Sequence, residues 1–248
     1  MLVRLAAVVV ASLLALGGAN AAEIKMLSSG AVKEAYLDLI PQFTKQTGHQ
    51  VNITWAGTVD LKKMIAAGEI YDLIVVAAPE IETFASLGKI KAGSRTDLVK
   101  SSVGVAVRLG APKPDISSGE NLKKALLAAK SIGFSTGPSG VYLLSMFQQM
   151  GIADAVKPKS KQTRPGFGVA KIIANGEAEI GFQQVSELIH EPGIDFLGPL
   201  SPDVDRVTVF SSGIHSSATQ PDTAKALQAF LSAPERAPVL KKYGLNPP

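Results

Sequence analysis

Residues 23–43 read EIKMLSSGAVKEAYLDLIPQF, and they carry the pattern that decides the fold. Residues 23–27 are a short strand-like run, and Ser28-Ser29-Gly30 is a loop of small residues. From Val32, apolar side chains recur at Ala35, Tyr36, Leu39, Ile40 and Phe43, the three-and-one spacing of a helix with one buried face. Pro41 falls inside that stripe. Proline has no N–H to donate and its ring crowds the preceding turn, so it predicts a kink or an interruption there.

Strand, small-residue loop and helix then recur along the chain. Residues 51–55 and 72–77 are the next strand candidates, and the run DLIVVA at 72–77 has the unbroken apolar character of a strand buried on both faces. Further candidates are 102–107, 131–134, 178–182, 194–197 and 206–210. Between them lie helical stripes at Leu122, Ala125, Leu126 and Ala129, and at Leu143, Met146, Phe147 and Met150. Strands alternating with helices predict an α/β architecture with mostly parallel sheets.

Four times a loop rich in Gly, Ser or Thr runs directly into a helix start. These are Ser28-Ser29-Gly30, Gly57-Thr58, Thr136-Gly137-Pro138-Ser139-Gly140 and Arg164-Pro165-Gly166-Phe167-Gly168. A helix start offers unpaired backbone N–H groups and the positive end of its dipole, and small residues let a ligand come close. In an open parallel sheet such loops gather at the carboxyl ends of the strands. One such loop is ordinary turn chemistry. Four together point to an anion-binding cleft.

The chain has 248 residues with 25 Lys and Arg against 21 Asp and Glu, a mild positive balance. The lysines are scattered and no basic stripe is interleaved with aromatics, so nucleic acid is not an expected partner. There is no cysteine, which excludes a disulfide framework and thiolate chemistry. At the N-terminus Arg4 precedes an apolar run from Leu5 to Leu16, then Gly17-Gly18 and the small-x-small triplet Ala19-Asn20-Ala21. That layout predicts a signal peptide over residues 1–21, cleavage near Ala21 and a periplasmic protein. A run of twelve residues is too short for a bilayer core needing roughly 20.

Five stretches together resemble the periplasmic solute-binding proteins of ABC transporters, in the group similar to the molybdate-binding protein. They are KMLSSGAVKEAYLDLIPQFTKQTGHQV, GTVDLKKMIAAGEIYDLIVVAAPE, STGPSGVYLLSMFQQMG, GVAKIIANGEAEIGFQQVSEL and LSAPERAPVLKKYGL, in that order. The resemblance implies a two-lobed periplasmic-binding-protein-like fold (type II), its sheets joined by two hinge crossovers. Lobe one would hold residues 22–102 and 206–248, and lobe two residues 103–205. It also implies a small anionic ligand, an inner-membrane ABC permease as partner, a monomer, and no cofactor or metal.

By the same resemblance, Ser28 or Ser29 with Gly30 fills the first ligand loop, Thr58 the second, and Ser139 with Gly140 the third. Phe167 stands where a backbone N–H is offered. Gln184 stands near the place of a tyrosine that holds the oxyanion in molybdate binders. An amide both donates and accepts, whereas a tetrahedral oxyanion needs only donors. Gln183-Gln184 therefore suggests a ligand of mixed polarity, with Arg164 as a bidentate carboxylate clamp. An organic di- or tricarboxylate is the favoured ligand, and a molybdate- or tungstate-type oxyanion the alternative.

A small-molecule enzyme on the same fold is the competing class. His49, His190 and His215 lie far apart without metal-ligand spacing, and no serine sits in a G-x-S-x-G elbow. Glu187 and Asp72 are the carboxylates best placed near the cleft, and both read more readily as structural. Capture without chemistry is the expected function.

Overall fold

The computed structural model describes residues 21–164 and 167–248, so the signal-peptide expectation falls on residues almost wholly outside it. The strands are β1 (Glu23–Ser29), β2 (Gln50–Ala56), β3 (Leu73–Ala77), β4 (Thr96–Ser101), β5 (Val103–Arg108), β6 (Ile132–Phe134), β7 (Ser160–Gln162), β8 (Ile180–Gln184), β9 (Ile194–Pro199) and β10 (Thr208–Ile214). The helices are α1 (Lys33–Thr47), α2 (Thr58–Ala66), α3 (Ala78–Ser86), α4 (Gly119–Ala128), α5 (Pro138–Gln149), α6 (Ala153–Val156), α7 (Val169–Ala174), α8 (Pro221–Ser232) and α9 (Ala237–Lys242). Among the described residues no helix is long and apolar enough to cross a membrane.

Two five-stranded sheets form, in the orders β2-β1-β3-β10-β4 and β7-β6-β8-β5-β9. Both are mixed. In the first, β1 runs parallel to β2 and β3, while β10 is antiparallel to β3 and β4. In the second, β6 runs parallel to β7 and β8, while β5 is antiparallel to β8 and β9. The expectation of mostly parallel sheets thus holds only for the strand-helix-strand part of each. Parallel neighbours need a long crossover, usually a helix. By contrast, β5 and β10 are the strands on which the chain arrives from the other sheet, so no such crossover fixes their direction.

Only Ser102 separates β4 in the first sheet from β5 in the second, and the chain returns between β9 and β10. Each sheet is packed on both faces, as the alternation of side chains along a strand requires. In β3, Leu73 and Val75 join a core with the buried face of α1 and with α8. Ile74 and Val76 face the other way, onto α2 and α3. In β5, Val103, Val105 and Val107 pack with α4 and α5, and Ala106 packs with α7.

Pro41 does not interrupt α1, which is continuous from Lys33 to Thr47. Pro41 and Leu37, the residue four before it, lie on the exposed side. The carbonyl that loses its helical partner therefore faces solvent, while Leu39, Ile40 and Phe43 anchor the opposite face. Asp72 is structural, as the sequence reading favoured. Its carboxylate accepts from the backbone N–H of Lys25 (2.8 Å), Thr219 (2.7 Å) and Gln220 (2.8 Å) and from the Thr219 hydroxyl (3.0 Å), tying β1 to the start of α8.

Candidate functional site

A cavity of about 190 Å³ lies between the two sheets, and all four small-residue loops reach it. The loop after β1 contributes Ser29 and Gly30, and that after β2 contributes Ala56 and Gly57. The β6–α5 loop supplies Ser135, Thr136, Gly137 and Pro138, and the β7–α7 segment supplies Thr163, Arg164, Phe167 and Gly168. The site is small beside the ~300–1,000 Å³ of drug-sized pockets, so its ligand is small too. Trp55 lines it while packing its other side on the first core.

Two hydrogen bonds join the two sides beside the cavity. The Val59 N–H donates to the Thr136 carbonyl (3.4 Å), and the Ser186 hydroxyl donates to the Ala31 carbonyl (2.7 Å). A side chain at Gly57 would run into the Thr136 hydroxyl, so glycine is what permits this approach. The helices α2 and α5 begin at Gly57 and Gly137 with no side-chain cap. Both helix starts border the cavity and direct positive dipole ends toward it.

Charge surrounds the site in both signs. Lys33, Arg164 and Lys171 are exposed cations on its lining, and Glu34 and Glu191 are exposed acids there. Arg164 and Lys171 both lie over the Phe167 ring, 5.6 and 5.2 Å from its centre. Such cation–π contacts hold long side chains in place.

Glu187 is the most perturbed group in the cavity wall. It closes the short 3-10 turn Val185–Glu187 after β8 and is only partly exposed. Loss of hydration there pushes its carboxyl up to about 7, against the opposing effect of a hydrogen bond from Gln183. Glu191 nearby raises it further and Lys33 lowers it. The Gln183 amide donates to Glu187 Oε1 (2.8 Å) and its own oxygen accepts from the Val169 N–H (2.8 Å), which locks both side chains to the start of α7.

Of the ten residues singled out from sequence, Ser29, Gly30, Arg164, Phe167 and Gln183 line the cavity, and the other five do not. Ser28 is fully buried and its hydroxyl turns to the Ser29 carbonyl (3.3 Å). Thr58 is buried behind Gly57 with its hydroxyl unpaired. Ser139 pairs with the Ser135 hydroxyl (3.2 Å). Gly140 is needed for packing, since a side chain there would overlap the Ser135 carbonyl. The Phe167 N–H, expected to meet the ligand, donates to the Arg164 carbonyl instead (3.0 Å).

Gln184 is the largest correction. It is fully buried away from the cavity, between the two crossovers. In the amide orientation that satisfies its surroundings, the nitrogen donates to the Ser101 and Ser102 carbonyls (3.1 and 3.0 Å). The oxygen accepts from the Thr208 hydroxyl (3.2 Å). It pins the crossovers together rather than reading a ligand. Lys33 and Lys171 were not singled out from sequence, although each lies in the first turns after a ligand loop, which was the available signal.

Comparison with known proteins places this geometry in a family. The model for "Bacterial extracellular solute-binding protein" matches residues 24–246. An aconitate isomerase of a Pseudomonas species is 31% identical over 98% of this chain and 95% of its own length. The molybdate-binding protein ModA of Escherichia coli K12 is 25% identical over 92% of this chain and 90% of its own. The periplasmic molybdate-binding protein of Azotobacter vinelandii superposes with a TM-score of 0.75 at 20% identity, covering 91% of this chain and 99% of that one. The chain therefore belongs to the bacterial extracellular solute-binding proteins, in the company of the molybdate-binding proteins.

Proposed function

We propose that this protein captures a small organic polycarboxylate in the cavity between its two sheets. The observation that carries the reading is a carboxyl group, Glu187, in the wall of a cavity that also bears Lys33, Arg164 and Lys171. A small metal oxyanion presents only acceptor oxygens over its whole surface, so Glu187 opposes it whenever the carboxyl is ionised. An extended organic acid can place its carboxylates against the cations and the helix starts. Its carbon skeleton then meets Glu187, Trp55 and Phe167. The relative named for isomerising aconitate supports a tricarboxylate as the first ligand to test.

In this reading residues 22–102 with 206–248 form one lobe and residues 103–205 the other, and the crossovers at Ser102 and between β9 and β10 are the hinge. The cross-cleft contacts Val59–Thr136 and Ser186–Ala31 then belong to a closed arrangement. The protein works in the periplasm after removal of residues 1–21, as a monomer, and hands its ligand to an inner-membrane ABC permease.

Titration calorimetry and thermal shift with cis- and trans-aconitate, citrate, molybdate, tungstate and sulfate test the ligand class. At a hundredfold excess over Kd, a ligand that binds only the folded chain stabilises it by about 2.7 kcal/mol. A polycarboxylate is expected to give that shift. Tight binding of molybdate, with none of any polycarboxylate, would overturn the reading.

A further inference from the structure

We propose that Glu187 moves a proton on and off a carbon of the bound acid, so that the cleft isomerises its ligand as well as holding it. This rests on the polycarboxylate reading above.

Several features of the site fit the role. Glu187 is on the cavity lining, and Gln183 fixes its Oε1 from behind at 2.8 Å. Gly30 faces it from the other sheet, where even a β-carbon would come within 3.1 Å of Oε1, so the carboxyl is enclosed on that side by backbone alone. The charged groups around it are Lys33 and Glu34 from α1, Arg164 and Lys171 from the β7–α7 segment and α7, and Glu191 from the turn beyond. Burial also sets its proton affinity near neutrality, where a general acid-base group can be either form. Within the fold the carboxylate is tied, through Gln183, to the start of α7. Its protein hydrogen-bond donors, Gln183 and the Gln184 backbone, leave it facing the cavity.

The step balances without any co-reactant. In an unsaturated tricarboxylate such as aconitate, a CH₂ lies next to a carboxylate and to the C=C bond. Glu187 as carboxylate takes one of those hydrogens as a proton. The C–H bond breaks, and its electron pair spreads over the three-carbon unit and the attached carboxylates. The same proton, or one exchanged with solvent, returns from Glu187 to the far carbon, forming a new C–H bond. The double bond has then moved by one carbon, Glu187 is a carboxylate again, and nothing has been oxidised or reduced. Because the skeleton is the same read from either end, the product is aconitate with its geometry open to change. Lys33, Arg164 and Lys171 are placed to stabilise the negative charge that spreads onto the ligand's carboxylates.

The test uses the full chain in D₂O with cis- or trans-aconitate, followed by proton NMR, with calorimetry for binding. The expected result is loss of the methylene and vinyl signals and growth of the other isomer. The rate should fall as the pH is lowered through neutrality, because the protonated acid cannot accept. At saturating aconitate, with occupancy checked by calorimetry, Glu187→Gln should slow exchange by about 100-fold or more, the usual weight of a positioned acid-base group. Glu187→Asp, which keeps the charge but withdraws it, serves as the second variant and should lose part of the rate. Binding of aconitate with no exchange by the wild type would overturn the chemistry while leaving capture intact. So would exchange in Glu187→Gln at the wild-type rate. Absence of any polycarboxylate binding would overturn the ligand reading and the chemistry with it.

Discussion

Gln183 and Gln184 are consecutive on β8, and successive side chains of a strand point to opposite faces. That alternation separates their roles. Gln183 reaches the cavity and holds Glu187, whereas Gln184 reaches the crossovers and satisfies two carbonyls and a hydroxyl. Gln184→Ala would remove those three hydrogen bonds from a buried place, leaving the Ser102 carbonyl only its Val185 N–H partner (3.0 Å), at a cost of about 1–3 kcal/mol. The unfolding temperature should therefore drop, while Kd for the ligand, measured by calorimetry on the folded variant, stays within a few-fold. A large loss of affinity with unchanged stability would return Gln184 to the ligand. From sequence the pair read as a single polarity signal, because a one-residue register choice is invisible until the partners of β8 are known. Glu187 shows the same boundary. Its residue type marked it for attention, but its meaning depends on the desolvation supplied by distant segments.

The elements were more legible than the side chains. β1 and β3 follow their apolar runs because large residues fill a core on both faces, β2 alternates exposed polar with partly buried apolar residues at the sheet edge, and the small-residue loops after β1, β2 and β6 sit where a parallel sheet puts them. Two strands escaped notice, β4 (TDLVKS) and β7 (SKQ), since polar edge strands carry little apolar pattern. The antiparallel half of each sheet was hidden as well, because it follows from which strand crosses between sheets. Gly140 illustrates how a loop glycine can mislead at this scale. It read as a ligand-facing helix start, yet α5 approaches the end of β6 so closely that a β-carbon would meet the Ser135 carbonyl. Gly140→Ala must push α5 away, and overpacking of this kind costs about 1–3 kcal/mol or more. A fall of several degrees in unfolding temperature is expected, with weaker ligand binding because Ser135 to Pro138 move with the helix. An unchanged melting curve would mean that α5 shifts freely.

At the scale of the whole molecule, the cleft ties stability to pH through Glu187. A carboxyl whose pKa rises on folding binds its proton more tightly in the folded chain, so between the ordinary glutamate value and about 7 the folded state holds more protons than the unfolded one. Stability from this group is therefore fully present below pH 4.5 and is lost as the pH rises to about 7. At 1.36 kcal/mol per unit, the loss is at most about 3 kcal/mol, reduced by the water that reaches the cleft. Two other groups slope the opposite way. Burial lowers the pKa of His215, so the protein gains stability as the pH rises through the range below 6.5. The Ser211 hydroxyl lowers that of Asp97, whose contribution is lost only in acid below the ordinary aspartate range. Both are common to wild type and Glu187→Gln, so subtracting the two stability curves isolates Glu187. For ligand-free protein, the wild type should lose several degrees of unfolding temperature relative to Glu187→Gln between pH 5 and pH 8. Parallel curves would show that Glu187 ionises as it does in the unfolded chain, and the strained charge that makes the cleft reactive would be absent.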